Sequence, residues 1–267
     1  MMKNIRKNLR VLSVLVRLRF QRLMVFRFDF FVPFLIDGSL FVIQLLAFAG
    51  IYGNVDSIGG WGQGEMTLYI GTFSLLNALN MTFYFFGVNG IPEKVKSGEL
   101  DLYLTKPVSP LFRLTFEYIS PGSIPLILMS IGIILYGIRT AGIPVTGRLA
   151  GAYLFWVFVM VILYYEVEVV IRSVSLYLVS TARMDQLEDA GINLCMKLPG
   201  IAFHGIFKVV FYLLLPYGIM ATLPVQSLIG EMNRYRGVYG ILVVGLFTRI
   251  THVIWRRGLR HYNSASS

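Results

Sequence analysis

The stretch LAGAYLFWVFVMVILYYEVEVVIR occupies residues 149–172, and from Leu149 to Tyr165 it carries no charged side chain. A helix needs about 20 mostly apolar residues to cross the hydrocarbon core of a bilayer, and this stretch supplies them. Its charges, Glu166, Glu168 and Arg172, gather at one end. Glu168 and Arg172 stand four apart, a spacing that brings a carboxylate and a guanidinium together on one helix face. Their expected role is structural, an ion pair at the edge of the membrane. No chain of carboxylates and histidines accompanies them to make a proton relay.

Outward from this stretch the chain keeps the same character. Of its 267 residues 56% are hydrophobic and 14% charged, with mean hydropathy +0.68. Soluble domains average about 25% charged residues, so lipid is the expected solvent. The net charge of +10 then reads as basic flanks held near anionic lipid rather than as a nucleic-acid footprint. The single cysteine, Cys195, permits no internal disulfide and reads as a small buried hydrophobe.

Further apolar runs at 31–52, 66–89, 112–138 and 238–255 read as spans. The first residues do not read as a signal peptide. Ile5, Leu9, Leu12, Val16, Phe20 and Leu23 recur at helical steps beside Arg6, Arg10 and Arg17, with Lys3, Lys7, Arg19, Arg22 and Arg27 around them. Such a pattern predicts an amphipathic interfacial helix over 1–28, followed by one transmembrane domain over 29–267. The loop 53–65 has no Lys or Arg and reads as outer; the loop 90–112, with Lys94, Lys96 and Lys106, reads as inner, like the tail with Arg256, Arg257 and Arg260. Arg139 and Arg148 in the loop 139–148 dissent mildly from alternation. Both termini inside require an even number of spans, so a further one is expected within 186–223. STARMDQLEDA at 180–190 reads as an inner loop. Beyond it Pro199, Pro216 and Pro224 punctuate an apolar run, which predicts a broken or re-entrant piece before the last span. The expected fold is therefore all-α and polytopic, with about six transmembrane helices.

Several chemistries find no residues. His204, His252 and His261 make no metal-binding spacing. GIAFHGIF at 200–207 spaces Gly200 and Gly205 as a phosphate loop does, but Ile206 and Phe207 replace the Lys and the hydroxyl residue. The chain is not expected to hydrolyse nucleotide. Of the other ionisable residues in or near the expected spans, Asp37 and Glu117 lie near expected cytoplasmic ends, where snorkelling or an ion pair accounts for them; Lys208 interrupts the proline-rich run.

One polar stretch sits between two greasy runs: GIPEKVKSGELDLYLTKPVSPLF, residues 90–112. Pro92 suits the start of a short helix and Gly98 its stop. Leu100, Leu102 and Leu104 then alternate with Asp101 and Tyr103, and Pro107 and Pro110 forbid a continued helix. A stiff, half-apolar element at the membrane face suits docking to a partner.

This stretch resembles the signature of permease subunits of ATP-binding-cassette (ABC) exporters of the type-2 class, carried here by Gly98, Glu99, Leu100, Asp101, Leu102, Leu104, Pro107, Pro110 and Leu111. The basic N-terminal helix, the six expected spans and the proline-punctuated region agree in order; the aromatic-rich word expected near the end of span four is weak, reading SVSLYLVS. The resemblance implies a separate cytoplasmic ABC ATPase dimer that binds ATP and Mg²⁺, a second permease, identical or homologous, and no cofactor on this chain. It implies export, and a multi-pass place in a bacterial or archaeal plasma membrane with both termini cytoplasmic. Residues 90–111 become the coupling segment. There Glu93, Lys94, Glu99, Asp101 and Lys106 are the expected polar contacts, Leu100, Leu102 and Tyr103 the apolar anchors, and Pro107 the stiff exit. Pro199, Pro216 and Pro224 become candidates for an outer gate. The alternative reading is a secondary transporter or channel without an ATPase. It calls for inverted repeats and midplane charges, which the sequence does not display. A lipid-acting membrane enzyme calls for a polar cluster at one membrane face, and the histidines are scattered.

Overall fold

The computed structural model describes residues 11–18, 21, 28–178 and 182–262. Residues 11–18 are helical, with Val14 and Leu18 exposed; apart from these and Gln21, the expected interfacial helix lies outside the described residues. The first long helix is α1, Phe28–Tyr52, and the second α2, Gln63–Phe83. Four short pieces follow: α3 Phe85–Asn89, α4 Ile91–Lys96, α5 Asp101–Leu104 and α6 Pro110–Phe116. Then come α7 Ile124–Thr140, α8 Gly147–Ser173 and α9 Ala182–Lys197. The chain next forms α10 Gly205–Val209, a π-helical stretch Val210–Leu214, α11 Tyr217–Met220 and α12 Thr222–Leu228, and ends in α13, Arg234–His261. Strands are absent among the described residues.

Among the described residues four helical stretches are long and apolar enough to cross a membrane, and a bent pair makes up to five. α2 is not among them, because it is built differently. It runs through the middle of the bundle, buried from Met66 to Leu76, and carries Thr67, Thr72, Ser74 and Asn80 inside. Polar side chains are tolerated at that depth when protein partners satisfy them: Thr72 meets the Tyr153 hydroxyl at 2.9 Å and Asn80 donates to Glu168 at 3.2 Å. α1 does the reverse, exposing Leu35, Ile36, Leu40, Ile43 and Leu46 while turning Phe41 and Phe48 inward.

α2 and α7 are the tightest pair, and glycine makes them so. A Cβ on Gly64 would stand 2.4 Å from the Ala141 amide nitrogen, one on Gly71 2.9 Å from that of Ile134, and one on Gly137 2.6 Å from that of Leu68. Small residues let helix backbones approach where no hydrophobic drive exists between them. The order of these contacts makes the two helices antiparallel. α13 likewise gives Gly240 to Trp156 and Gly258 to Leu176, which sets it parallel to α8. Contacts of α2 with Tyr153 and Glu168 set it parallel to α8 as well. α9 runs against them, from Glu188 beside Arg172 to Cys195, whose carbonyl accepts the Tyr69 hydroxyl at 2.5 Å.

Three boundaries depart from the sequence reading. The run 66–89 leaves the α-helix at Tyr84, whose φ is −144°; beyond the break α3 lies so close to α6 that a Cβ on Gly87 would be 2.2 Å from the Leu114 carbonyl. The run 112–138 is two helices, because Pro121 opens a 3₁₀ turn over Pro121–Ser123 between α6 and α7. A proline there has no N–H for a helical bond and its ring clashes with the preceding turn. The expected inner loop 180–190 is instead helical from Ala182 onward, because its acidic residues turn onto Arg172.

Candidate functional site

α4 begins at Gly90 with Pro92 in its first turn, where the missing N–H is harmless. It stops at Gly98, whose φ of +75° suits a residue without a side chain. The Leu100 N–H then reaches back to the Lys94 carbonyl at 3.0 Å. The chain does not continue as an alternating extended piece; α5 is one helical turn. Residues three apart share a helix face, so Leu100 (0% exposed) and Tyr103 (7%) point inward while Leu102 (61%) points out. Beneath them lie Tyr84, Val88, Ile91, Leu114, Val169, Leu176 and Trp255, a small core distinct from that of the main bundle.

Tyr103 organises the rim. Its hydroxyl donates to Glu117 at 2.6 Å. Lys94 and Arg113 lie 5.2 Å from its ring centroid and Lys106 5.6 Å, a range in which a cation is attracted to the ring face. Burial pushes the Tyr103 phenol up, and the bond to Glu117 adds to the shift. Lys94 also pairs with Glu99 at 3.8 Å, and Asp101 lies beside Tyr262. Of the residues expected to meet a partner, Leu100, Tyr103 and Lys94 thus fasten the segment to its own chain. Glu93, Glu99, Leu102, Lys106 and Pro107 are exposed, joined by Leu104.

At the C-terminal end of α8 the expected pair exists, Arg172 to Glu168 at 3.7 Å. The structure adds what spacing did not reveal. Arg172 also meets Asp185 at 2.5 Å and Glu188 at 2.7 Å. Glu188 accepts from the Tyr217 hydroxyl at 3.2 Å. One guanidinium thereby ties α2, α8, α9 and α11. Asp185 and Glu188 are three apart, hence on one helix face; that acidic face next to a span was the signal available in the sequence.

Pro199, Pro216 and Pro224 fall in one region but act differently. Pro216 stands at the bend where Gly205–Leu214 turns by 79° into Tyr217–Leu228. Pro199 leads into a 3₁₀ turn over Gly200–Ala202. Pro224 lies in the first turn of α12, where the helix continues through it. All three are buried. The hairpin is laced by Thr222, which accepts from the Gly200 N–H at 3.0 Å and donates to the Gly218 carbonyl at 2.7 Å. It sits at the N-terminal ends of α2 and α13, where a cavity of about 760 Å³ opens between hairpin, α13 and the loop at Gly59–Trp61. The 90–117 segment lies at the opposite ends of the same helices. Among the described residues no three His, Cys, Asp or Glu side chains converge to hold a metal ion.

Long apolar helices around a protein-sheathed central one, with a bent hairpin at one end and a packed amphipathic element at the other, define a polytopic all-α membrane protein. The family model described as "ABC-2 family transporter protein" matches residues 39–266, and the chain belongs to that family. It is a multi-pass permease subunit of an ABC transporter. Membrane subunits of this family are transport components, not enzymes themselves, and in general work with ATPase partners. No curated protein and no solved structure matches the chain.

Proposed function

We propose that the chain is the permease of an ATP-driven exporter, forming the path with a second permease, identical or homologous, and driven by a cytoplasmic ABC ATPase dimer that carries the ATP and Mg²⁺. In this reading both termini are cytoplasmic in a bacterial or archaeal plasma membrane, and the C-terminal ends of α2, α8 and α13 face the ATPase. The observation that carries it is the build of residues 90–111. Leu100 and Tyr103 anchor the element, while Glu93, Glu99, Leu102, Leu104, Lys106 and Pro107 form its exposed face. A push on that face passes through Leu114 and Trp255 to α6 and α13. The Arg172 cluster links the end of α8 to α9 and to Tyr217, next to the Pro216 bend. Such packed elements move between discrete arrangements rather than deforming smoothly.

The test is purification in mild detergent with its native partners. An ATPase should accompany the chain and turn over faster with it than without it. Glu99→Lys with Leu102→Asp should release the ATPase and leave the chain folded. Retention of the ATPase by that variant would move coupling elsewhere. Absence of any ATPase would return the reading to a secondary transporter.

A further inference from the structure

The cavity at the hairpin end has chemistry of its own. Lys208, from α10, and Arg236, from α13, both line it, together with Tyr212, Tyr235, Tyr239 and Glu231. Lys208 lies 5.7 Å from the Tyr212 ring. Arg236 donates to the Glu231 backbone carbonyl at 2.9 Å, not to its carboxylate. The Glu231 carboxylate instead accepts from the Trp61 indole at 3.4 Å. Among the described residues neither Lys208 nor Arg236 is in an ion pair. Two cations against one carboxylate leave the cavity positive; of its phenols Tyr235 is exposed, at 86%, while Tyr212 and Tyr239 are half-buried.

One wall of this cavity is apolar and uncovered. Val209 and Leu213 line it and are themselves exposed, and Ile206, Phe207 and Leu214 extend the same flank of the bent segment. A soluble anion would need the cations and no such flank; a hydrocarbon would need the flank and no cations. The continuity of the two calls for a ligand with both.

We propose that this cavity is a binding site for an anionic amphiphile, its phosphate or carboxylate headgroup between Lys208 and Arg236 and its chain along the Val209–Leu213 flank. The site deepens the permease reading, whose cargo it would receive at the end away from the ATPase. Aromatic walls with a few convergent polar groups are the usual make-up of small-molecule sites, and a guanidinium grips phosphate or carboxylate with two parallel bonds.

The experiment uses the full chain in a neutral detergent and reads Trp61-region fluorescence during titration with single-chain phosphate amphiphiles of increasing length. Saturable binding should tighten with chain length. It should weaken about tenfold or more in Lys208→Gln with Arg236→Gln, both exposed positions, and stay unchanged in Arg139→Gln, an exposed cation at the same end of the bundle. Inorganic phosphate should compete poorly, and an amphiphile with an uncharged headgroup should bind weakly. Equal binding by the double variant, equal binding of the uncharged amphiphile, or inorganic phosphate competing as well as the amphiphile would each overturn the assignment. ATPase co-purification is scored on the same preparations. No saturable binding to the wild-type chain with the ATPase retained refutes this site alone; binding without an ATPase refutes the ATP-driven reading and leaves the site.

Discussion

Tyr103 donates a 2.6 Å hydrogen bond to Glu117, joining the single turn of α5 to the residue at which α6 ends. Two elements too short to be stable helices by themselves are thereby fixed to each other. The same ring collects three cations, so one side chain sets the shape of the exposed face.

Tyr103→Phe keeps the ring and removes the bond. Hydrogen bonds to ionised groups contribute about 1.5–3 kcal/mol net, so this variant should unfold several degrees earlier and Tyr103→Ala earlier still. Thermal unfolding in detergent checks this, and a Tyr103→Phe melting curve that overlays wild type would deny the bond any weight.

Arg172→Met should be among the most damaging single changes. It leaves Glu168 and Glu188 buried without their guanidinium, and breaking a buried pair from one side costs about 3–5 kcal/mol. Adding Glu168→Gln and Glu188→Gln should restore much of the loss, since the uncompensated charges go with them. Denaturant unfolding of the single and triple variants separates charge from shape: no recovery in the triple variant would make packing the cause.

The glycines divide into two classes that sequence cannot separate. Gly71→Ala and Gly137→Ala put a methyl into a neighbouring backbone and should destabilise by about 1–3 kcal/mol through overpacking. Gly132→Ala and Gly151→Ala meet open space and should be neutral, or stabilising by up to about 1 kcal/mol through helix propensity. Parallel melting curves for the four variants give the answer, and a uniform response would contradict the packing.

Gly98→Ala forces a side chain into the left-handed region at φ +75°, at about 1–2 kcal/mol. Because Gly98 turns the chain between α4 and α5, the expected effect falls on the exposed face. ATPase stimulation should drop more than global stability does, and an equal drop in both would make the turn merely structural.

Legibility followed solvent. α8 and α13 face lipid along part of their length and announce themselves by apolar length. α2 was harder to bound, because its environment is protein: its polar residues answer Tyr153 and Glu168, partners distant in sequence. The two-helix build of 112–138 turns on Pro121, whose local signal, Ser120-Pro121-Gly122-Ser123, is a short polar word set between two longer apolar runs. The bend at Pro216 was legible in outline, since proline chemistry is local. Pro224 differs from Pro216 in that it falls within the first turn of a helix, which continues through it. In the 90–111 segment the stop at Gly98 was legible, but the single helical turn over Asp101–Leu104 was not, and it is this turn that sends Leu100 and Tyr103 inward together.

The sheathed position of α2 bears on how the protein is made. Thr72, Asn77 and Asn80 bond to Tyr153, Tyr164 and Glu168, which follow them by 81, 87 and 88 residues. When α2 leaves the ribosome these partners do not yet exist; Thr72 can turn to the Leu68 carbonyl of its own helix, but lipid offers the Asn80 amide nothing in exchange. Insertion therefore cannot be a simple sequence of finished spans. α2 is complete only when α8 closes against it, so the centre of the bundle is the last part of its first eight helices to be finished.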